Sequence, residues 1–223
     1  MTLPRSTLEH AGGRIELLEA EVYVVPTERP ESDGTFAWDR TTVIVVRAHG
    51  GGCSGIGWTF AHASAAELAM GPLARAVVGV DTSATSEAWS AMSRAVRNIG
   101  RPGLGWEAIS AVDIALWDLR ARILGMPLFR LLAPARESVR AYGSGGFTSY
   151  DDDELASQLG RWSDEGFSAV KMKVGRHPND DLRRVQLARS AVKPEVQLFM
   201  DANGAWARKQ ALAQMEAFAS YGV

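Results

Sequence analysis

Two lysines and an aspartate carry the first chemical signal in this sequence. The stretch SAVKMKVGR, residues 168–176, alternates as a strand does: Val170, Met172 and Val174 share one face, and Lys171 and Lys173 share the other. Residues two apart on a strand are about 7 Å apart, so two amines project together from an otherwise apolar element. A second strand-like run, VQLFMDANG, puts Val196, Leu198, Met200 and Ala202 on one face and Gln197, Phe199, Asp201 and Asn203 on the other. Lys173 and Asp201 lie one strand–helix unit apart. That places them near the C-terminal ends of neighbouring parallel strands, where α/β folds put their sites. Two close ammonium groups disfavour each other's charge, and burial disfavours both. One is then expected to lose its proton near neutral pH and act as a base, while the other holds an anion. An aspartate at a strand end suits a hard cation such as Mg²⁺. The alternative is two solvated lysines on a half-exposed strand, with Asp201 as a cap or loop residue; spacing alone leaves both open.

The elements that must position these residues follow a regular grammar. SVRAYGSGG reads as a strand ending in glycines, and DDDELASQLGRWSDEG as an amphipathic helix with acids at its dipole-favoured start. SAVKMKVG is a strand, NDDLRRVQLARSAV a helix, EVQLFMDANG a strand and ARKQALAQMEAFASYG a helix. Strand–helix pairs that recur about every 30 residues predict parallel strands with right-handed crossovers. Upstream, residues 15–26 and 41–48 read as strands, with TERPESDGTFAWDR between them as a polar loop broken by Pro30 and Gly34. The glycine-rich HGGGCSGIGWTF follows, and then helices over roughly 64–79, 85–98 and 105–124. In the last of these, Ile109, Val112, Leu116, Leu119 and Ile123 recur at helical steps, and Gly125 and Pro127 end it. The expected organisation is an α+β domain over 1–135 and an α/β region over 136–223. Three parallel units form neither a closed barrel nor a well-covered sheet, so the chain is expected to be a fragment or to be completed by something else.

Composition narrows the function classes. The chain of 223 residues is 46% hydrophobic and 22% charged, with net charge −2, which argues against a general attraction to nucleic acid or an anionic membrane. It has no apolar run of membrane-spanning length, no signal-like start, and a single cysteine, Cys53; a cytoplasmic protein is expected. GGGCSG, Gly50–Gly55, matches the dinucleotide pattern, but IGWTF rather than a helix follows it, so a turn or loop is the better reading. His10, His49, His62 and His177 show no zinc spacing. Asp113 and Asp118 lie in an apolar helix, with Arg120 and Arg122 as candidate partners, and read as structural. No G-x-S-x-G is present to support serine hydrolase chemistry.

The helix AISAVDIALWDLRAR, Ala108–Arg122, closely resembles the signature of the mandelate racemase and muconate lactonizing enzyme family of the enolase superfamily. The later KMK and LFMDAN are similar to that family's K-x-K and D-x-N elements in order and approximate spacing. The resemblance implies an α+β capping domain followed by a (β/α)₇β TIM-type barrel, here incomplete with about three β/α units. It also implies abstraction of the proton α to a carboxylate, with Mg²⁺ stabilising the enediolate. Lys173 then resembles the family's base, Lys171 the lysine that neutralises the substrate carboxylate, Asp201 the first metal ligand and Asn203 a polar neighbour. The segments TERPESDGTFAWDR and GGGCSGIGWTF occupy the places of two capping-domain loops that shape specificity. Trp38 and Tyr142 are candidate substrate contacts, and Trp58 either walls a pocket or packs in the core.

One departure from the family pattern is severe: the chain ends before the expected Glu-x-Pro strand, and one carboxylate holds Mg²⁺ poorly. The 223-residue chain alone is therefore expected to be inactive, its parent being an acid-sugar dehydratase or a racemase/epimerase acting on a small carboxylate. The alternative is a non-catalytic truncated protein that self-associates or binds a partner, since an open barrel edge promotes association; a homo-oligomer is expected. A dinucleotide-dependent oxidoreductase is the remaining reading.

Overall fold

The computed structural model describes residues 13–223. His10 and most of the start read above as lacking a signal lie outside the described residues. The chain divides into two compact units, one of residues up to Val25 with Thr41–Ala135, the other of Pro26–Arg40 with Arg136–Val223.

The first unit is built on an antiparallel sheet in the order β1 (Ile15–Ser32), β2 (Ala37–Gly50), β3 (Cys53–Phe60). The glycine-rich stretch is a tight hairpin and a strand. Gly51 and Gly52 have φ of 57° and 74° and join β2 to β3, with Gly50 paired to Cys53. Consecutive left-handed residues match the twist of a two-residue hairpin. No helix follows the glycines, so the geometry of a dinucleotide-binding turn is absent there. Helices α1 (Ser64–Leu68) and α2 (Ala74–Val77) are separated by a π turn over Ala69–Leu73 that contains Pro72. The sequence pattern over 64–79 reads as one helix; proline removes an N–H from the ladder, and the wider turn accommodates it. Next come α3 (Thr85–Ala95), α4 (Trp106–Ile123) and the short α5 (Leu128–Leu131).

Helix α4 lies against β3, and its stripe of Ile109, Val112, Leu116 and Leu119 is buried with Leu18, Ile44, Leu73 and Met92. Gly55 and Gly57 make this approach close: a Cβ on Gly57 would fall on the backbone of Ala111 and Ala115, and one on Gly55 on Ala115 and Leu119. Of the two acids in α4, Asp118 pairs with Arg122 at 2.8 Å and accepts the Ile56 amide at 2.9 Å. Asp113 does not pair with Arg120, whose Nη1 instead reaches the Thr85 hydroxyl at 3.5 Å and whose guanidinium lies over the Trp117 ring.

The second unit holds a parallel sheet in the order β4 (Gly143–Ser144), β5 (Ala169–Lys173), β6 (Gln197–Asp201), with α6 (Asp152–Asp164), α7 (Pro178–Ala191) and α8 (Arg208–Phe218) interleaved. Its core joins Val170, Met172, Val174 and Leu198 to Leu155, Leu159, Val185 and Phe218. Helix α6 opens on a capping box between Asp151 and Glu154, which satisfies two otherwise free amides. β4 is much shorter than the strand read from SVRAYGSGG, and Val139 and Tyr142 just before it are exposed.

The tip of the β1–β2 hairpin also belongs to this unit, and it corrects the loop expected over TERPESDGTFAWDR. β1 continues to Ser32 and β2 starts at Ala37, so the turn is short. Asp33 Oδ1 closes it by accepting the amides of Thr35 and Phe36 at 2.7 and 2.8 Å. Pro26 and Pro30 break no strand because β1 is at the sheet edge, where a missing N–H is tolerated. Ser32 and Thr148 share a 2.7 Å hydrogen bond, and Arg29 pairs with Glu154.

Gly57→Ala tests the α4–β3 contact. It is expected to destabilise the chain by about 2 kcal/mol, the usual scale of overpacking. Urea unfolding of the two proteins measures it, and an unchanged midpoint would show that α4 is not held this close.

Candidate active site

The parallel register of β5 and β6 pairs Lys173 with Asp201, so the two strands end side by side. Apolar Val170, Met172 and Val174 are fully buried on one face, which turns both lysines to the other. Their side chains are largely covered, at 18% exposure for Lys171 and 12% for Lys173. Both amines donate to the same oxygen, Asp201 Oδ2, at 3.0 and 2.8 Å. Lys173 also donates to Asn203 Oδ1 at 2.9 Å, and the Asn203 amide donates to Asp201 Oδ1 at 2.9 Å. The strand ends at Asp201, so Asn203 does not reach the cluster by strand alternation. It adopts a left-handed φ of 48°, which folds its side chain back over the strand end. Asparagine tolerates that conformation better than most residues.

The electrostatics differ from the simple expectation for two neighbouring amines. Burial pulls the Lys171 pKa down, but the hydrogen bond and charge of Asp201 more than offset it, so it lies above the ordinary lysine value. Burial works against the Asp201 carboxylate too, yet the hydrogen bonds from Lys173, the Asn203 amide and Lys171 hold it well below the usual carboxylate range. Two lysines on one carboxylate leave a formal excess of positive charge, suited to a bound anion.

The other candidates are distributed unevenly. The Lys171 amine lies 5.9 Å from the centre of the Tyr142 ring, which packs edge-on against Phe199, so Tyr142 borders the cluster. Trp38 joins a different group, its Nε1 donating to Glu31 at 2.8 Å and its ring packing on Phe36 and Phe147. Trp58 lies on β3 in the first unit, edge-on to Phe60 and 51% exposed, so it is not a core residue.

The sequence reading missed four supporting residues. Asp33 is held below the usual carboxylate range; burial opposes this, but the hydrogen bonds of Thr35 and Phe36 outweigh it, with the Lys173 charge contributing. Thr35 at that turn reaches the Asn203 carbonyl at 3.4 Å, which brings the hairpin tip against the end of β6. Asp-Gly at 33–34 is the one local signal that marks this turn. On α7, buried Asp181 accepts the Gly175 amide after β5 at 2.9 Å, and buried Arg184 donates to the Tyr150 and Phe147 carbonyls after β4. A charge in a helix's first turns reads as solvated from sequence, and only packing shows that it braces a loop.

The oxygen donors at the cluster are Asp201 and Asn203. Among the described residues, no group of three or more histidine, cysteine or acidic side chains converges as a metal site would require.

Asp201→Asn tests the ion-pair arrangement. A depressed carboxylate pKa contributes stability that is present above the unfolded value near 3.8 and is lost as pH falls through the folded value. At pH 7 the variant is expected to lose about 1–2 kcal/mol, less than for a fully buried pair because the groups are partly exposed. Unfolding measured from pH 7 to pH 3 should show the difference closing as the solution is acidified below about pH 4. A difference that does not change with pH would disprove the assignment.

Comparison with known proteins places this geometry. Residues 19–133 match the mandelate racemase / muconate lactonizing enzyme N-terminal domain, and residues 154–223 match the enolase C-terminal domain-like family. L-talarate/galactarate dehydratase of Salmonella typhimurium is 32% identical over 92% of this chain and 55% of its own length. A mandelate racemase/muconate lactonizing enzyme-like protein from Rubrobacter xylanophilus is 51% identical, with TM-score 0.92 over 94% of this chain and 58% of that one. A racemase from Streptomyces coelicolor, solved with bound magnesium, is 30% identical, with TM-score 0.89 over 94% of this chain and 60% of that one. The chain thus spans little more than half the length of these relatives. With both domain families matched in order, the chain belongs to the mandelate racemase/muconate lactonizing enzyme family of the enolase superfamily.

Proposed function

We propose that these residues are part of an active site that removes the proton α to the carboxylate of an acid sugar or similar hydroxy acid, as a dehydratase or a racemase/epimerase. The observation that carries this reading is the pair of covered lysines sharing Asp201 at adjacent parallel strand ends. Lys171, whose pKa is raised, stays charged and faces the substrate carboxylate. Lys173, once deprotonated, takes the α-proton: the Cα–H bond breaks, an N–H bond forms, and the electron pair moves into the carboxylate as an enediolate. Asn203 Oδ1 holds the Lys173 amine in place. Tyr142 borders the pocket beside Lys171, while Trp38, packed on Phe36 and Phe147, is given no role in it.

Mg²⁺ is the cofactor of this proposal, and its fit to the chain is partial. It favours near-octahedral oxygen coordination. Asp201 and Asn203 offer oxygens for one side of such a shell, and among the described residues no group of three ligating side chains converges to complete it. When bound, the ion supplies Lewis-acid stabilisation of the enediolate. Two oxygen donors hold Mg²⁺ poorly, so these residues by themselves are expected to be inactive.

A second reading, a non-catalytic chain that self-associates, is favoured by the lone carboxylate and by Leu212 and Met215 on α8, exposed at 54% and 62%.

The test is exchange of substrate α-protons in D₂O, followed by NMR, with a panel of aldonates and aldarates and added Mg²⁺. The product of the native gene is expected to exchange, and Lys173→Met to lower the rate by about 10³-fold, within the range of general base catalysis. The 223-residue chain alone is expected to show none. Undiminished exchange by Lys173→Met would remove Lys173 as the base, and exchange by the chain alone would disprove the incomplete site. If the native gene product exchanges nothing and sediments as an oligomer, the second reading holds.

A further inference from the structure

In the first unit, α3 and α4 line an open cavity of about 230 Å³ remote in sequence from the lysine cluster. Its lining combines one carboxyl, Asp113, two indoles, Trp89 and Trp117, and the hydroxyls of Thr85, Ser86 and Ser90. Asp113 Oδ1 is buried and receives no hydrogen bond. An unpaired carboxyl oxygen out of water is costly, and structures normally supply it with a donor. Neither nearby arginine hydrogen-bonds Asp113: Arg122 pairs with Asp118, and Arg120 lies along the wall, on the Thr85 hydroxyl and over the Trp117 ring. Trp89 is half-exposed and is backed by Trp106, stacked at 5.6 Å, which fixes the plane of its ring. The Ser90 hydroxyl donates to the Ser86 carbonyl at 2.9 Å, so its lone pairs remain free to accept.

These groups define the chemistry of an occupant. Asp113 repels an anion. A metal ion finds no second acid in the lining, where Asp113 stands with hydroxyls and indoles. What Asp113 lacks is an N–H donor with positive charge, and indole faces attract such a charge. We infer that the α3–α4 cavity binds an alkylammonium or alkylguanidinium group, seated against Trp89 with its N–H groups on Asp113 and Ser90. The group can belong to a free small amine or to a lysine or arginine of a second copy of this chain. This site is independent of the proton-abstraction reading.

The probe is n-propylguanidinium chloride, titrated into the 223-residue chain at constant ionic strength and followed by tryptophan fluorescence and calorimetry, with n-propanol as control. Saturable binding of the guanidinium and none of the alcohol is expected. Asp113→Asn should weaken it at least tenfold with unchanged circular dichroism. Ser90→Lys, which tethers an ammonium beside Asp113 and folds whether or not Asp113→Asn does, should abolish the titration and raise the melting temperature. Non-saturating quenching equal to that of sodium chloride overturns the inference, as does Ser90→Lys binding unchanged. Sedimentation separates the sources. Self-association reversed by propylguanidinium assigns the cation to a second copy, and a monomer that still binds the probe assigns it to a free amine.

Discussion

The second unit depends on one oxygen. Asp201 Oδ2 accepts both Lys171 and Lys173, and this fixes the register in which β5 and β6 can be tolerated side by side. Shifting β6 by one residue would turn Asp201 into the apolar layer and leave two covered amines without a counter-charge, because a strand's faces exchange with every single step. The hydrophobic pattern and the ion pairing therefore select the same register. Asn203 adds a geometric condition, since only a left-handed turn straight after the strand returns its amide and carbonyl oxygen to the same carboxylate and lysine.

Around that cluster the chain invests in holding loops still. Buried Arg184 and Asp181 reach from α7 to the backbone that follows β4 and β5, and the hairpin tip comes to rest near Asn203. Catalytic groups gain from such bracing because small displacements of reacting atoms cost large factors in rate. One buried face of α7 does both jobs: Val185 and Ala188 pack into the core, and Asp181 and Arg184 on the same face reach the loops.

How much of this was legible in the sequence varied with the range of the interaction. The α4 stripe, the three strand–helix units and the convergence of Lys171, Lys173 and Asp201 could be read because strand and helix periods act over a few residues, whereas Asn203 arrives by a left-handed turn that the alternation does not foretell. The family motifs sharpened that reading. The hairpin between Val25 and Thr41 was hidden because prolines and acids suggest a loop unless the strand is known to be at an edge. SVRAYGSGG has strand composition, but pairing needs a neighbour, and only its glycine end has one: Gly143 and Ser144 pair with β5, and Gly145 and Gly146 bond to its backbone. The direction of the Lys171 shift was missed because the two lysines were weighed against each other before the carboxylate between them was counted. Arg120 was matched to Asp113 by nearness in sequence, whereas its guanidinium is drawn to an indole face and a hydroxyl.

The prolines of β1 carry a consequence for life in a crowded solution. Val22, Tyr23, Val24 and Val25 form an exposed β-branched and aromatic run on an edge strand, the kind of segment that recruits a strand from another molecule. Pro26 follows that run directly and Pro30 comes two repeats of the pleat later, and neither has a backbone N–H to offer. A foreign strand laid along this edge would find its ladder of hydrogen bonds interrupted where it needs to lengthen. The residues that looked like loop breakers thus guard the hairpin against fibril-like growth while leaving its own pairing to β2 intact.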